Sequence, residues 1–328
     1  MCKILILGSN SFSGSSFVNF LHRKTDHEIF CISRSPEPIL SLSPHKWHKK
    51  KYSFFSYHLV DNFEEIVTLI KKIKPKMIFN YASQSMVAES WLYPDDWFNT
   101  NTLFTIKLHN ILKDFDFLDR YIHISTPEVY GNCEGKINEN YPYNPTTPYA
   151  VSRAASDMSL KTFNEAYKFP FVGTRAANVY GPGQQLYRII PKTIISILKN
   201  KKIPLHGGGK SDRSFIYIDD VSNATLILSK HGEIGNFYHI STNKQITIRN
   251  LVELICKKMN VNIEDYIQID DERLGKDKSY NLSSEKIKKI SNWYPEIDLE
   301  KGIEFCINWA LKYKSELLNS IDYYEHKR

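Results

Sequence analysis

No apolar run in the 328-residue sequence approaches the roughly 18 residues that a membrane-crossing helix needs, so no membrane partner is expected. Cysteine is scarce. Cys2, Cys31, Cys133, Cys256 and Cys306 are scattered, odd in number and form no CxxC pair. That pattern offers neither a metal site nor a disulfide framework and fits a reducing, cytoplasmic setting. No small-residue cleavage site follows the first apolar residues; Lys3–Leu7 runs straight into Gly- and Ser-rich turn residues and reads as a first strand rather than a signal peptide. Charge of one sign is not in large excess. The net +7 suits anionic ligands such as diphosphates, or simply lysines on a solvated surface. The densest basic run, Lys46-Trp47-His48-Lys49-Lys50-Lys51, falls in a loop, and no basic stripe or known module calls for nucleic acid. Internal repeats and low-complexity linkers are also missing.

What is present is the alternation of short apolar runs with longer amphipathic ones that builds βαβ units around a parallel sheet. Lys3–Leu7, Glu28–Ile32, Met77–Tyr81, Arg120–Ser125 and Phe171–Thr174 read as strands, and Phe17–Leu21, Phe63–Ile73 and Leu103–Leu112 as helices. Beyond Val179 the pattern loosens. A helix at Ile189–Lys199, a strand at Phe215–Ile218 and helices at Asp220–Leu228, Thr247–Met259 and Leu299–Tyr313 are expected. The fold class is therefore α/β: a doubly wound parallel sheet of the Rossmann type (residues 1–178 and 213–242). A smaller α/β substrate domain (179–212 and 243–328) packs closely on it.

Strand one ends in Gly8-Ser9-Asn10-Ser11-Phe12-Ser13-Gly14, followed by an amphipathic helix. Such a turn aims helix N–H groups at a pyrophosphate, and small residues let its backbone approach closely. GxxSxxG is weak by itself, because Ser11 replaces the middle glycine; its place between the first strand and a helix strengthens it. At the end of strand two, Ser33-Arg34-Ser35 carries no carboxylate for a ribose 2′-hydroxyl. Arg34 with two hydroxyls suits a 2′-phosphate, so NADP is favoured, with NAD possible.

Downstream lie Ser125-Thr126-Pro127-Glu128-Val129-Tyr130-Gly131 and then Pro148-Tyr149-Ala150-Val151-Ser152-Arg153, which opens a helix. Residues four apart share a helix face, so Tyr149 and Arg153 point the same way. A guanidinium beside a phenol favours the phenolate and makes Tyr149 a candidate general base.

These motifs resemble the extended branch of the short-chain dehydrogenase/reductase superfamily, specifically the nucleotide-sugar epimerases and dehydratases. The likeness includes Asn80-Tyr81-Ala82-Ser83-Gln84-Ser85, Thr100-Asn101, Thr174–Pro182, Asp212–Asp220, Ser279-Tyr280-Asn281 and Trp293-Tyr294-Pro295, nearly the whole chain. Thr-x-Glu before Val-Tyr-Gly resembles the 4,6-dehydratases, and Ser-Gln-Ser with Ser-Arg-Ser resembles the GDP-mannose enzymes more than the dTDP-glucose ones. The resemblance implies that Thr126 bonds the sugar O4, Tyr149 takes its proton and Glu128 takes the C5 proton. It implies cofactor contacts at Tyr81, Ala82, Ser83, Asn101, Tyr149 and Arg153. For a nucleotide-diphosphate sugar it implies contacts at Ser85, Asn178, Gln184, Arg188, Lys192 and Arg213.

Three departures stand out: Arg153 replaces the family's lysine, Pro127 replaces an acid found in dTDP-glucose dehydratases, and Ser11 replaces glycine. Dehydration is the leading expectation. The alternatives are 4-epimerisation or UDP-glucuronate decarboxylation, and a non-catalytic dinucleotide-binding protein. Apolar residues Ala154, Ala155, Met158, Leu160 and Phe163 on the Tyr149 helix read either as core or, as the family implies, as half of a homodimer interface with Leu103–Leu112.

Overall fold

A computed structural model describes residues 1–271 and 281–327, so the Ser279-Tyr280 part of one motif lies outside the described residues. Seven parallel strands form the main sheet: β1 (Lys3–Leu7), β2 (Glu28–Ser33), β3 (Ser53–Ser56), β4 (Met77–Asn80), β5 (Arg120–Ile124), β6 (Phe171–Ala176) and β7 (Asn236–Ile240). Their spatial order is β7-β6-β5-β4-β1-β2-β3. The direction of winding reverses between β1 and β4, and a crevice opens there beyond the carboxyl ends of the strands.

The interior strand β1 explains why helices cover both faces. Ile4, Leu5, Ile6 and Leu7 are all fully buried, and neighbours along a strand point to opposite sides. Ile4 and Ile6 join a cluster with Phe17 and Val18 of α1 (Phe12–Lys24) and with Val221 and Ala224 of α7 (Ile218–His231). Leu5 and Leu7 join Ile66 and Ile70 of α2 (Phe63–Ile73) and Phe104 and Leu108 of α4 (Phe104–Leu112). Each such side chain contributes about 1.5–3 kcal/mol when fully buried. A separate core forms where α6 (Ile189–Leu198) meets α8 (Ile248–Lys258) and the helix Leu299–Lys312, around Ile190, Ile194, Leu251, Ile255, Ile303 and Trp309.

Two strands of the main sheet escaped the sequence reading, as did the short strands that form two-stranded pairs outside it. β3 is a half-exposed edge strand with serine at both ends, and β7 carries Asn236 and His239 among its apolar residues. The strand beginning at Phe215 is shorter than expected: it stops at Tyr217, and Ile218 opens α7. Before α4, Asn99–Leu103 forms a π-helical turn, which runs on from the short α3 (Pro94–Phe98).

Candidate active site

The crevice is walled by the turn after β1 and the loop after β4, together with the end of β2. Gly8 has φ +78°, and a Cβ there would lie 2.6 Å from the Ala82 nitrogen, so only glycine lets the two loops close up. A Cβ on Gly14 would strike the Gly8 carbonyl at 2.4 Å. Ser11 needs no glycine freedom. Its φ is −67°, its hydroxyl donates to the Gly8 carbonyl (2.7 Å), and it accepts from the Gly14 N–H (3.1 Å) as the N-cap of α1. The departure from the glycine pattern is thus a capping serine.

Asn10, Ser11, Ser33, Arg34, Ser35, Tyr81, Ala82, Ser83 and Gln84 line this cavity with Gly8, while Ser13 follows on the first turn of α1. Ser33 Oγ accepts from the Asn10 N–H (2.9 Å), and Asn10 Nδ2 donates to the Ser35 carbonyl (2.8 Å), which locks the β1 turn to the β2 end. Phe12 is buried in the second core, leaving its backbone at the helix start. Asn101 is fully buried. It bonds both the N–H and the carbonyl of Gln84 and the Ser152 hydroxyl, so it shapes the β4 loop from behind instead of facing the open crevice.

The second part of the site is built by β5 and α5 (Pro148–Tyr167). Thr147 caps α5, accepting from the Ala150 N–H (3.1 Å), and Pro148 takes the first helical position, where its missing N–H costs nothing. Tyr149, Arg153 and Asp157 then succeed one another at single-turn spacing, all buried. After β5, Thr126 caps the 3₁₀ turn Pro127–Tyr130, with Oγ1 accepting from the Glu128 N–H (3.3 Å). Pro127 again fills a first-turn position that suits it, and it brings no proton donor.

Arg153 is held from behind: Nη2 donates to the Ile124 carbonyl and lies 3.4 Å from His123 Nε2. Its Nε and Nη1 are buried with no partner among the described residues. Two buried donors without a partner among the described residues, near Tyr149, fit the ribose hydroxyls of a dinucleotide, and the Gly8–Gly14 cradle fits its pyrophosphate.

Sequence reasoning expected Arg153 to pull the Tyr149 phenol down. In the structure the phenol lies above its usual value instead. Burial is the main cause and Glu128 adds to it; Arg153, a hydrogen bond with Thr126, and Arg188 oppose without prevailing. Thr126, Glu128, Tyr149 and Arg153 nevertheless converge in one place.

Behind them lies a polar network that sequence reasoning missed. Asp157, fully buried, accepts from Ser125 Oγ (2.7 Å) and Arg175 Nη2 (2.8 Å), and its Oδ1 lies 3.3 Å from His123 Nε2. Burial opposes its charge, but Arg175 and His123 outweigh that and hold the carboxyl at about 2. Arg175 also donates to the Tyr130 and Tyr143 hydroxyls. The available signal was Asp157 itself, a carboxylate four residues beyond Arg153 on the same helix face.

On the substrate side, Arg188 Nη2 reaches Ser85 Oγ (3.4 Å). Asn178 opens a strand paired with Phe215–Tyr217, which brings it near Arg213. Gln184 is buried and donates to the Val179 carbonyl (2.9 Å), so its amide is used within its own turn. Lys192 lies half-buried on α6.

A family model described as GDP-mannose 4,6 dehydratase matches residues 5–305. The chain belongs to this family. The dTDP-D-glucose 4,6-dehydratase of Mus musculus is 31% identical over 327 residues, covering 94% of this chain and 89% of the relative. The crystal structure of dTDP-glucose 4,6-dehydratase from Bacillus anthracis str. Ames, in complex with NAD, matches with a TM-score of 0.86 and 26% identity over 97% of this chain and 100% of the other. A UDP-glucuronic acid 4-epimerase from Bacillus cereus, at 22% identity and a TM-score of 0.86, shares the fold and covers 94% of this chain and 99% of its own. As a member of the GDP-mannose 4,6 dehydratase family, the chain is an enzyme of the nucleotide-sugar dehydratase and epimerase class.

Proposed function

We propose that the protein binds a nicotinamide dinucleotide and converts a nucleotide-diphosphate sugar to its 4-keto-6-deoxy form by 4,6-dehydration. The observation that carries this reading is Glu128, which sits close enough to Tyr149 to act on its phenol while Thr126 bonds that same phenol. An epimerase needs only the tyrosine; a dehydratase needs a second base within reach of C5.

A bound nicotinamide would accept and return hydride. The Gly8–Gly14 turn would hold its pyrophosphate, and the free donors of Arg153 its ribose. Tyr149, steadied by Thr126, takes the proton from O4 as C4 is oxidised. The 4-ketone acidifies C5–H, Glu128 removes that proton, and the C6 hydroxyl leaves. Because Pro127 offers no acid, Glu128 returns the proton it has just taken to the departing oxygen, so the water lost is balanced by one carboxyl group. Hydride would then return to C6, and the proton that Tyr149 took from O4 balances the one C5 regains. The Arg188–Ser85 pair, with Asn178, Lys192 and Arg213, would receive the sugar nucleotide.

For the cofactor, Arg34 and the absence of a carboxylate at the end of β2 favour NADP over NAD. The B. anthracis relative holds NAD, so NAD is the comparison. A homodimer through the outer faces of α4 and α5 belongs to the same reading. So does a cytoplasmic setting, which suits five free thiols. No helix among the described residues is long and apolar enough to cross a membrane.

The test separates oxidation from elimination. In Glu128→Gln, hydride exchange at C4 should persist while formation of the dehydrated product stops. Normal dehydration by that variant would remove Glu128 from the mechanism.

A further inference from the structure

The residues from Ile321 to Lys327 leave the C-terminal helices and cross from the substrate side to the cofactor crevice. Lys199 Nζ pairs with Asp322 (2.6 Å), and Tyr324 packs edge-on against Tyr187 (5.5 Å between ring centres). His326 lies flat on Tyr93 (4.7 Å, 6° between planes) and on the fully buried Trp97 (5.1 Å, 18°), and its Nε2 is 2.7 Å from Asp96. This anchor delivers the Lys327 carbonyl to two residues of the crevice wall. Arg34 Nη1 donates to it at 2.5 Å and Gln84 Nε2 at 3.0 Å.

A carbonyl oxygen has two lone pairs, and these two donors fill both. The cavity they border measures about 230 Å³, below the roughly 300–1,000 Å³ usual for a ligand cleft. Arg34 is also the cation that the crevice offers to a 2′-phosphate, and a phosphate monoester takes a guanidinium best through a forked pair of bonds. A fork in which Nη1 is one arm draws it away from the strap and leaves the Lys327 carbonyl with Gln84 alone. A free 2′-hydroxyl makes no such demand.

We propose that Ile321–Lys327 is a strap that competes with the 2′-phosphate of NADP for Arg34, so that its docking shifts cofactor choice toward NAD. Linkage makes the effect reciprocal: NADP loosens the strap by the same factor by which the docked strap weakens NADP. Arg34 confers affinity for the phosphate, and the strap sets how much of it is expressed. The proposal rests on reading the Gly8–Gly14 crevice as the dinucleotide site.

Calorimetry with NAD and NADP on the full chain, on a chain shortened to end at Ser320, and on His326→Ala tests it. Removing the strap should tighten NADP about tenfold, the scale of one charge-assisted hydrogen bond, and leave NAD within about twofold. His326→Ala, which loosens the anchor without deleting backbone, should move NADP in the same direction by less. In the full chain, NADP but not NAD should raise amide exchange across 321–327. Equal changes for both cofactors, or none, would overturn the competition. NADP affinity that Arg34→Ala leaves untouched in both the full and shortened chains would instead remove Arg34 as the phosphate contact, and the strap proposal with it.

Discussion

Tyr149 is a buried phenol whose neighbours disagree. Burial and Glu128 hold its proton on, whereas Arg153, Thr126 and Arg188 favour its release. Removing one neighbour should therefore move the alkaline-rising limb of the pH–rate profile in a known direction. In Arg153→Met the limb should shift to higher pH, and the rate should fall about 100-fold, the scale of compromised general-base catalysis. Arg153→Lys keeps the charge and should retain substantial activity; Tyr149→Phe should be the most damaged. For Glu128→Gln, oxidation at C4 should show its limb at lower pH, because a charge that raises the phenol is gone. An unshifted limb with full turnover in Arg153→Met would contradict the Tyr149–Arg153 pairing. Both residues were legible in the sequence through their spacing. The net direction of the phenol shift was not, because it depends on how deeply α5 is buried against β5.

Among the elements, α5 does most to position the site, and its sequence is ambiguous for a physical reason. Its small residues serve two surfaces. Ala154 and Leu160 turn inward and are buried in the chain's own core, whereas Val151 and Met158 remain exposed, as does Leu103 just before α4. The apolar set that the sequence left as either core or interface is thus divided between core and surface. The exposed part is expected to be covered by a second copy. Light scattering at micromolar concentration should give a dimer mass, and Met158→Glu should shift it toward monomer. A monomer mass in the parent would refute the interface. The boundaries of β1 and α2 were readable from hydrophobic period, and the start of α5 from Pro148, which suits a first helical position. The edge strand β3 and the polar β7 were not, since their pairing is decided by neighbours distant in sequence.

At the scale of the whole molecule, stability should fall with acid in two stages. His22 and His239 are buried, and both are held neutral, His22 down to about 4 by burial and then Lys50, His239 down to about 3 by burial and then Arg175. An unfolded histidine takes its proton near 6.5, so below that pH the unfolded state binds more protons and folding weakens. Each of the two should remove about 1.4 kcal/mol per pH unit until its folded value is reached. Asp157 acts in the next window: its contribution is complete above about 3.8 and is lost as pH falls toward about 2. Denaturant midpoints measured from about pH 7 to pH 5 should decline steadily; a flat profile would show that these histidines already share their protons with solvent.

The doubly wound parallel sheet follows from alternation that the sequence displays openly, whereas the order of its strands, with β3 and β7 at the edges, emerges only in the fold. So does the Asp157–Arg175–His123 network, because three residues far apart in sequence meet only once the sheet has formed. The central claim is that this assembled site eliminates water from a nucleotide sugar, and one assay addresses it directly. The purified protein, supplied with dinucleotide, is incubated with GDP-mannose, dTDP-glucose and UDP-glucose in turn, and each product is weighed by mass spectrometry. The account predicts that at least one substrate loses the mass of a single water and gains a 4-ketone. Recovery of sugar nucleotides of unchanged mass but altered stereochemistry at C4 would make the protein an epimerase and contradict it.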